Sequence, residues 1–510
     1  MKRLFNVISK KSTTALILLL FEIIASGLLV LVLNRSFLMF GVLAYIFNII
    51  IIFFVSNGKA SPAYKISWIF AIIFLPVVGG ILYLTFGKRR IVKKFKKSFF
   101  NAKSVNSSFF NDVSHKNFIE NLDIDDSCLQ MVRWIYNVSQ QPAYCKTQTE
   151  FLSSGVKYFE SLVLDLKNAK KTIFMEFFII SPGCMWGTIL DILIEKIKQN
   201  VDVRLIYDDF GTIVSLPRDY EKYLNKIGIK CKIFNPIKPR FKAFMNNRDH
   251  RKMVVIDGEI AYTGGINFAD EYINKVKKYG FWQDSGIRLK GAAVRSFVIL
   301  FLNMWNYMLK KYDFFKDYIP KDYPDVKTDG IVMPFGDNPV NSYYLNHSIY
   351  LKIVNMAKKY IYIQTPYLVI DDRLTNALLF AAQSGVEVVI ITPHIYDKIY
   401  VHVLTRGFYE RLIKAGVKIF EFTPGFIHSK VIIADGVVGV LGTANFDFRS
   451  LYLHFECSVW MYKTKALEQI YKDFMLIMSK SKRIYLKDCK KRNLIERILS
   501  FILKPFSPFL

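Results

Sequence analysis

The chain has 510 residues, is 52% hydrophobic and carries a formal net charge of +28. That length leaves room for two to four domains, and a composition both apolar and basic points to an anionic membrane surface more than to nucleic acid. The cysteines (Cys128, Cys145, Cys184, Cys231, Cys457, Cys489) are scattered without a C-x-x-C pair, which excludes a readable disulfide framework or zinc site.

In chain order, the first elements are apolar runs at 13–33, 37–55 and 66–86, each near the ~20 residues that cross a bilayer. No small-residue cleavage site follows the first run and a second comes at once, so the pattern reads as an anchor rather than a leader. Glu22 lies mid-run, where a lone carboxylate costs roughly 3 kcal/mol unless protonated or shielded. The basic stretch GKRRIVKKFKK (87–97) places the downstream chain in the cytoplasm, yet Lys2, Arg3, Lys10 and Lys11 ask for the same side. Three full crossings cannot satisfy both ends. The expectation for 1–97 is therefore two crossings plus one shallow segment.

Residues 98–140 read as a polar linker ending in a helix around DDSCLQMVRWIYNVS. An α/β rhythm comes next: the strand KTIFMEFFII, the helix TILDILIEKIKQN, the strand VDVRLIYDDFG. It then recurs, with AKKTIFMEFFII (169–180) echoed by AKKYIYIQTPYLVI (357–370), and VDVRLIYDD (201–209) by GVEVVIITP (385–393). The closest echo joins DHRKMVVIDGEIAYTGGINFADEY (249–272) to IHSKVIIADGVVGVLGTANFDFRS (427–450). His250, Lys252, Asp257, Gly258, Gly264, Asn267 and Phe268 reappear as His428, Lys430, Asp435, Gly436, Gly442, Asn445 and Phe446, all displaced by 178 positions (428 − 250). The fold class is thus α/β: N-terminal transmembrane helices, then a duplicated α/β sandwich with pseudo-twofold symmetry, its halves at 141–330 and 331–483. The tail 484–510 carries apolar residues at helical spacing flanked by Lys and Arg, the pattern of an amphipathic helix on a membrane or of one packed on the second half.

His250 and Lys252 are two apart before an apolar run, so on a strand they share a face. Asp257-Gly258 signals a hairpin, and a two-residue loop would set Gly265 opposite His250, Thr263 opposite Lys252 and Thr443 opposite His428. Ammonium and amide groups donate hydrogen bonds and suit phosphate oxygens, while an imidazole near neutrality is a nucleophile, base or acid. One half-site is incomplete. Two of them about a pseudo-twofold put two His and two Lys around one phosphate: one His attacks phosphorus, the other protonates the departing alkoxide and then deprotonates the acceptor. The cations neutralise charge, so the pattern asks for no metal, and no nucleotide motif is present. Asp257 and Asp435, each before Gly at a turn, read as structural support rather than proton carriers. Glu176 and Gln364 sit on equivalent strands, as a polar lining or as structure. His115, His347, His394, His402 and His454 read as satisfied histidines.

The paired H-x-K-x-x-x-x-D motifs, each followed by G-[GT]-x-N, resemble the phospholipase D superfamily. The wider pattern is similar to the bacterial cardiolipin synthase family, through PVVGGILYLTFGKRR (76–90), GFWQDSGIRLKGAAV (280–294), IQTPYLVIDD (363–372), AGVKIFEFTPGFIHSK (415–430) and the closing FSPFL. The resemblance implies a phospholipase D-like fold at a bacterial cell membrane and transfer of a phosphatidyl group between two phosphatidylglycerols, without a cofactor. It implies His250 as nucleophile, His428 as general acid/base, and Lys252, Lys430, Asn267 and Asn445 as phosphate-binding groups, with Asp257 and Asp435 completing the motifs. It also implies an acid that orients each His, for which Asp284 and Glu456 are the candidates. The implied partners are phospholipids and an anionic membrane surface, not nucleic acid, and oligomeric state is silent. A lipid phosphodiesterase or nuclease of the same superfamily, and an inactive membrane scaffold, are the other readings. The two intact motifs count against the scaffold, and the apolar segments count against the nuclease.

Overall fold

A computed structural model describes residues 37–58, 60–87, 97, 99–101, 104, 118–237, 246–309, 312–323, 329–341 and 343–509. The chain divides into two compact units, 1–88 and 89–510. The expected apolar segment 13–33 and the basic run up to 96 lie outside the described residues, as does His115.

In the first unit, α1 (Phe37–Ser56) coincides with the second apolar run. The third run is not one helix. It is split into α2 (Pro62–Phe74), α3 (Val78–Leu82) and a π-helical turn at Tyr83–Gly87. Pro76 cannot continue the hydrogen-bond ladder, and Val77 turns back with a left-handed φ of 68°, its N–H held by Asn48 Oδ1 at 3.1 Å. Among the described residues, no helix is long and apolar enough to cross a membrane.

In the second unit, the predicted linker helix forms as α4 (Asp126–Ser139), and the predicted helix after the first strand forms as α5 (Cys184–Lys198). The first half contributes β1 (Thr147–Leu152), β2 (Thr172–Phe177), β3 (Asp202–Asp208), β4 (Lys230–Phe234), β5 (Lys252–Ile256), β6 (Ile260–Gly264), β7 (Phe281–Gln283) and β8 (Gly286–Gly291). The second contributes β9 (Ile331–Asp337), β10 (Tyr360–Gln364), β11 (Leu368–Val369), β12 (Glu387–Pro393), β13 (Lys418–Phe422), β14 (Gly425–Ile427), β15 (Val431–Ala434), β16 (Val438–Gly442), β17 (Phe446–Asp447), β18 (Glu456–Tyr462) and β19 (Ser481–Ile484). The sheet orders are β1-β8-β6-β5-β2-β3-β4 and β19-β13-β12-β10-β15-β16-β18-β9. Stripped of edges, the two share one pattern: a parallel pair (β2-β3, β10-β12) flanked on one side by the antiparallel motif hairpin (β5-β6, β15-β16). The echo read from sequence is therefore a repeated sheet.

Period-2 alternation decides what each face covers. On β2, Ile173, Met175 and Phe177 pack outward with α5, while Phe174 points into a core shared with Val431, Ile433 and Leu441 of the second sheet. The apolar helix α6 (Val294–Leu309) joins that same core and links the halves. A common apolar core fixes how the two motif strands face one another, and so positions the site.

The hairpin register differs from expectation. Ile256 pairs with Ile260 and Met253 with Thr263, so Thr263 lies opposite Met253 and not Lys252. In the second copy Ala434 pairs with Val438 and Val431 with Leu441, one step away from the register that faced Thr443 with His428. The cause is local. Asp257 and Gly258 both take positive φ, as do Asp435 and Gly436, and Glu259 N–H closes the turn on Ile256 O, but the ladder resumes one residue later. Each connection holds three residues, not two.

Candidate active site

Both motif strands lie against the opposite half. His250 N–H donates to Phe455 O at 2.9 Å, and Phe455 N–H donates back to Arg248 O; His428 N–H donates to Gln283 O at 2.7 Å. Short parallel pairing between β7 and β14 continues the second of these contacts. This exchange brings each acid to the other half's histidine. His250 Nδ1 donates to Glu456 at 2.9 and 3.1 Å, and His428 Nδ1 donates to Asp284 Oδ2 at 2.7 Å. All four side chains are buried. With Nδ1–H held by a carboxylate, each imidazole keeps its Nε2 lone pair for chemistry.

The second residues of the two G-[GT]-x-N loops differ because the acids differ. A Cβ at Gly265 would stand 2.1 Å from Asp284 Oδ1, so only glycine admits the short acid there. Thr443, at the equivalent place, instead donates its hydroxyl to the longer Glu456.

The lysines are fully buried beneath the imidazoles. Lys252 Nζ donates to His250 O at 2.6 Å, and Lys430 Nζ donates to His428 O. Burial pulls Lys252 down to about 8 and Lys430 to about 7. Burial, then the adjacent lysine, also pulls His250 well below the usual histidine range and His428 to about 4, so both rings are neutral at pH 7. Lys430 acts on His250 and Lys252 on His428, which places both half-sites in one electrostatic field.

Asp257 and Asp435 stand apart from this cluster. Asp257 accepts the N–H groups of Lys170, Lys171 and Thr172 at 2.7–2.8 Å, and Asp435 those of Lys358, Lys359 and Tyr360 at 2.7–2.9 Å. Each clamps the start of the neighbouring central strand to the hairpin. Asp257→Ala should therefore cost about 1–3 kcal/mol of stability by orphaning these donors. It should leave turnover per folded molecule near wild type, as chemical denaturation beside an activity titration will show.

His250, His428, Asn267 and Asn445 line one cavity of about 470 Å³. Asn267 is engaged structurally, accepting Ile179 N–H at 3.0 Å and donating to Tyr272 OH at 2.7 Å; Asn445 donates to Asp447 at 2.9 Å. The remaining walls include Arg248, Arg449, Tyr272, Trp282, Tyr367 and His454. Glu176 and Gln364 are buried outside that wall, with Glu176 paired to Arg251 at 3.3 Å.

His454 departs from its reading as a satisfied histidine. Its ring lies 5.4 Å from that of His250, and its buried Nδ1 stands 3.8 Å from Glu456 Oε1, without a hydrogen-bond partner among the described residues. The residue at the matching place in the other half, two before Asp284, is Trp282, whose ring lies 5.2 Å from that of His428. His454 sits in the bend before β18 and Asp284 between β7 and β8, so strand alternation does not carry this placement. By contrast His347 meets Asp371 at 3.0 Å and His394 meets Glu421 at 2.8 Å, as expected of satisfied rings. Among the described residues, His250, His454 and Glu456 form one group able to hold a metal ion, their ligand atoms within 4.8 Å of one another.

Comparisons with known proteins agree with this geometry. The family model described as cardiolipin synthase, phospholipase D-like domain, matches residues 162–285 and 350–478, and a phospholipase D-nuclease N-terminal model matches 40–88. A cardiolipin synthase of Halalkalibacterium halodurans is 30% identical over 97% of this chain and 99% of its own length. A cardiolipin synthase 2 of Bacillus anthracis is 32% identical over 88% and 87%. The crystal structure of a phosphatidylserine synthase from Haemophilus influenzae superposes with a TM-score of 0.58 at 17% identity, covering 74% of this chain and 97% of that one, a likeness of fold. With two matching domains, each supplying one buried histidine to a single cavity, the chain belongs to the cardiolipin synthase family of phospholipase D-like proteins.

Proposed function

We propose that this protein is a cardiolipin synthase that transfers a phosphatidyl group from one phosphatidylglycerol to another, releasing glycerol. The observation that carries the reading is the crossed pairing of His250 with Glu456 and of His428 with Asp284 around one cavity. In the first step His250 Nε2 attacks phosphorus, the bond to the glycerol oxygen breaks, and His428 gives that oxygen a proton. The entering phosphodiester anion favours the imidazolium form of His428 that this step needs. In the second step His428 takes the proton of the acceptor's hydroxyl, whose oxygen attacks phosphorus and breaks the P–N bond. One phosphodiester replaces another, and His250 and His428 return to their starting forms. Lys252 and Lys430 neutralise the phosphoryl charge from below the imidazoles, and Asn267 and Asn445 flank the phosphate.

The same reading places the protein in the bacterial cell membrane as a multi-pass protein with both catalytic halves, 141–330 and 331–483, in the cytoplasm. What supports it is the sequence, with apolar runs at 13–33, 37–55 and 66–86 before the basic run 87–97, together with the exposure of Tyr45, Phe53 and Phe54 on α1.

The test is product analysis after incubating detergent-solubilised protein with phosphatidylglycerol alone. Cardiolipin and free glycerol in equal amounts are expected. Phosphatidic acid in their place would make water the acceptor and the protein a lipid phosphodiesterase.

The lysine shifts give this reading a pH signature. Cationic Lys430 and Lys252 hold the phosphodiester, and each loses its charge as pH rises through about 7 and about 8. So kcat/KM for phosphatidylglycerol should fall on the alkaline side across that window. Lys430→Arg keeps its charge at every accessible pH, so the lower of the two steps should vanish from the profile even if the maximum drops.

A further inference from the structure

The last helix, α7 (Leu494–Leu503), turns more apolar surface outward than a helix that only packs on the body. Leu494, Ile495, Ile498, Phe501 and Ile502 share one side at i, i+1, i+4, i+7 and i+8, and all are exposed, Phe501 at 80% and Ile495 at 70%. The inner side is mixed: Ser500 is buried, and Glu496, Leu499 and Leu503 beside it are half-buried. Ser500 packs on the neighbouring helix Ile399–Lys414 at Gly407, where a Cβ would lie 2.4 Å from the Ser500 hydroxyl, and Arg492 donates to Arg406 O at 3.0 Å. The helix is therefore already seated on the body through Leu499, Ser500 and Leu503, which leaves a second, apolar stripe facing outward.

The surroundings say what covers that stripe. Lys487, Lys490, Lys491, Arg497 and Lys504 are exposed around it. A second copy meeting this face about a twofold axis would bring like charges together, whereas an anionic bilayer takes both the apolar side chains and the cations. Directly after the helix, the segment Lys504–Phe509 carries Ser507 to the wall of the cavity that holds His250 and His428, and Tyr400 and Leu404 of the adjoining helix line that wall too. The stripe lies one short segment from the site.

We propose that α7 is a membrane-docking helix that seats the catalytic unit on an anionic lipid surface beside its cavity, in addition to any anchoring by the N-terminal segments. The inference rests on the lipid-substrate reading only for its activity readout. The structural readout is independent: full-length protein carrying Cys145→Ser, Cys184→Ser and a nitroxide at Phe501→Cys is reconstituted into phosphatidylglycerol–phosphatidylcholine vesicles. Oxygen should reach this label in preference to a water-soluble nickel chelate, with the reverse at Lys490→Cys. Preferential access of the nickel chelate to position 501, or spin–spin broadening between two copies there, would overturn the proposal.

For activity, the Ile498→Glu/Phe501→Glu double variant should lose at least ~10-fold in kcat/KM on phosphatidylglycerol vesicles. It should stay within about twofold of wild type on monomeric dihexanoyl phosphatidylglycerol, which needs no surface. Equal losses on both substrates, or none on vesicles, would reduce α7 to a structural element. Wild-type inactivity on both lipids would instead sink the proposed function, and the nitroxide result would still judge the helix.

Discussion

His250→Ala is expected to lower phosphatidyl transfer by at least about 10⁴-fold without unfolding the protein. The imidazole borders an existing cavity, and what the body uses at this position is the backbone, through His250 N–H to Phe455 O, which the substitution keeps. Lys252 likewise bonds the carbonyl of His250 and not its ring. The loss is therefore of the attacking atom and of the Nδ1–H bond to Glu456, which keeps the Thr443 hydroxyl. His428→Ala should cost a similar factor on phosphatidylglycerol for a different reason, since it removes the proton donor to the leaving alkoxide. The two defects separate with a nitrophenyl phosphodiester, whose leaving group departs without a proton. His428→Ala should release the first equivalent of nitrophenol as a burst, whereas His250→Ala should show none. A burst from His250→Ala and none from His428→Ala would reverse the two roles.

Glu456→Gln is the second large effect, expected at about 10²–10⁴-fold on turnover with nearly unchanged volume. The carboxylate accepts Nδ1–H of His250 and also the Thr443 hydroxyl. An amide in its place presents N–H toward Nδ1, which moves the ring proton to Nε2 and removes the lone pair that must attack. Asp284→Asn should do the same to His428, from the other half. The crossed arrangement makes the prediction specific. A substitution in the second half disables the histidine of the first, so Glu456→Gln should abolish the nitrophenol burst that Asp284→Asn retains in part. Loss of the burst in Asp284→Asn with its retention in Glu456→Gln would contradict the pairing.

Much of this was legible in the sequence because the repeat is internal. One offset of 178 joined His, Lys, Asp, Gly and Asn, and only a duplicated fold keeps five residue types in register. Asp284 and Glu456 came from resemblance alone; that each serves the opposite half is a consequence of the shared core, which no local pattern encodes. The hairpin register failed by one residue since Asp-Gly signals a turn but does not say where the ladder resumes, and Glu259 and Val437 each add one position. The third apolar run failed as a single helix at Pro76, which hydropathy averaging does not weigh. His454 was passed over because a histidine is usually judged by its own neighbours in sequence, while what marks it here is the ring of His250, about 200 positions away, at 5.4 Å.

The most direct test of the central claim, that the two halves build one site with His250 holding the phosphatidyl group between steps, is acid-free quenching of a working reaction followed by peptide mass spectrometry. The account predicts a phosphatidyl adduct, labile to acid as a P–N bond is, on the peptide containing His250 and none on the peptide containing His428. An adduct confined to His428, or full cardiolipin formation with no adduct and inversion at phosphorus, would contradict it.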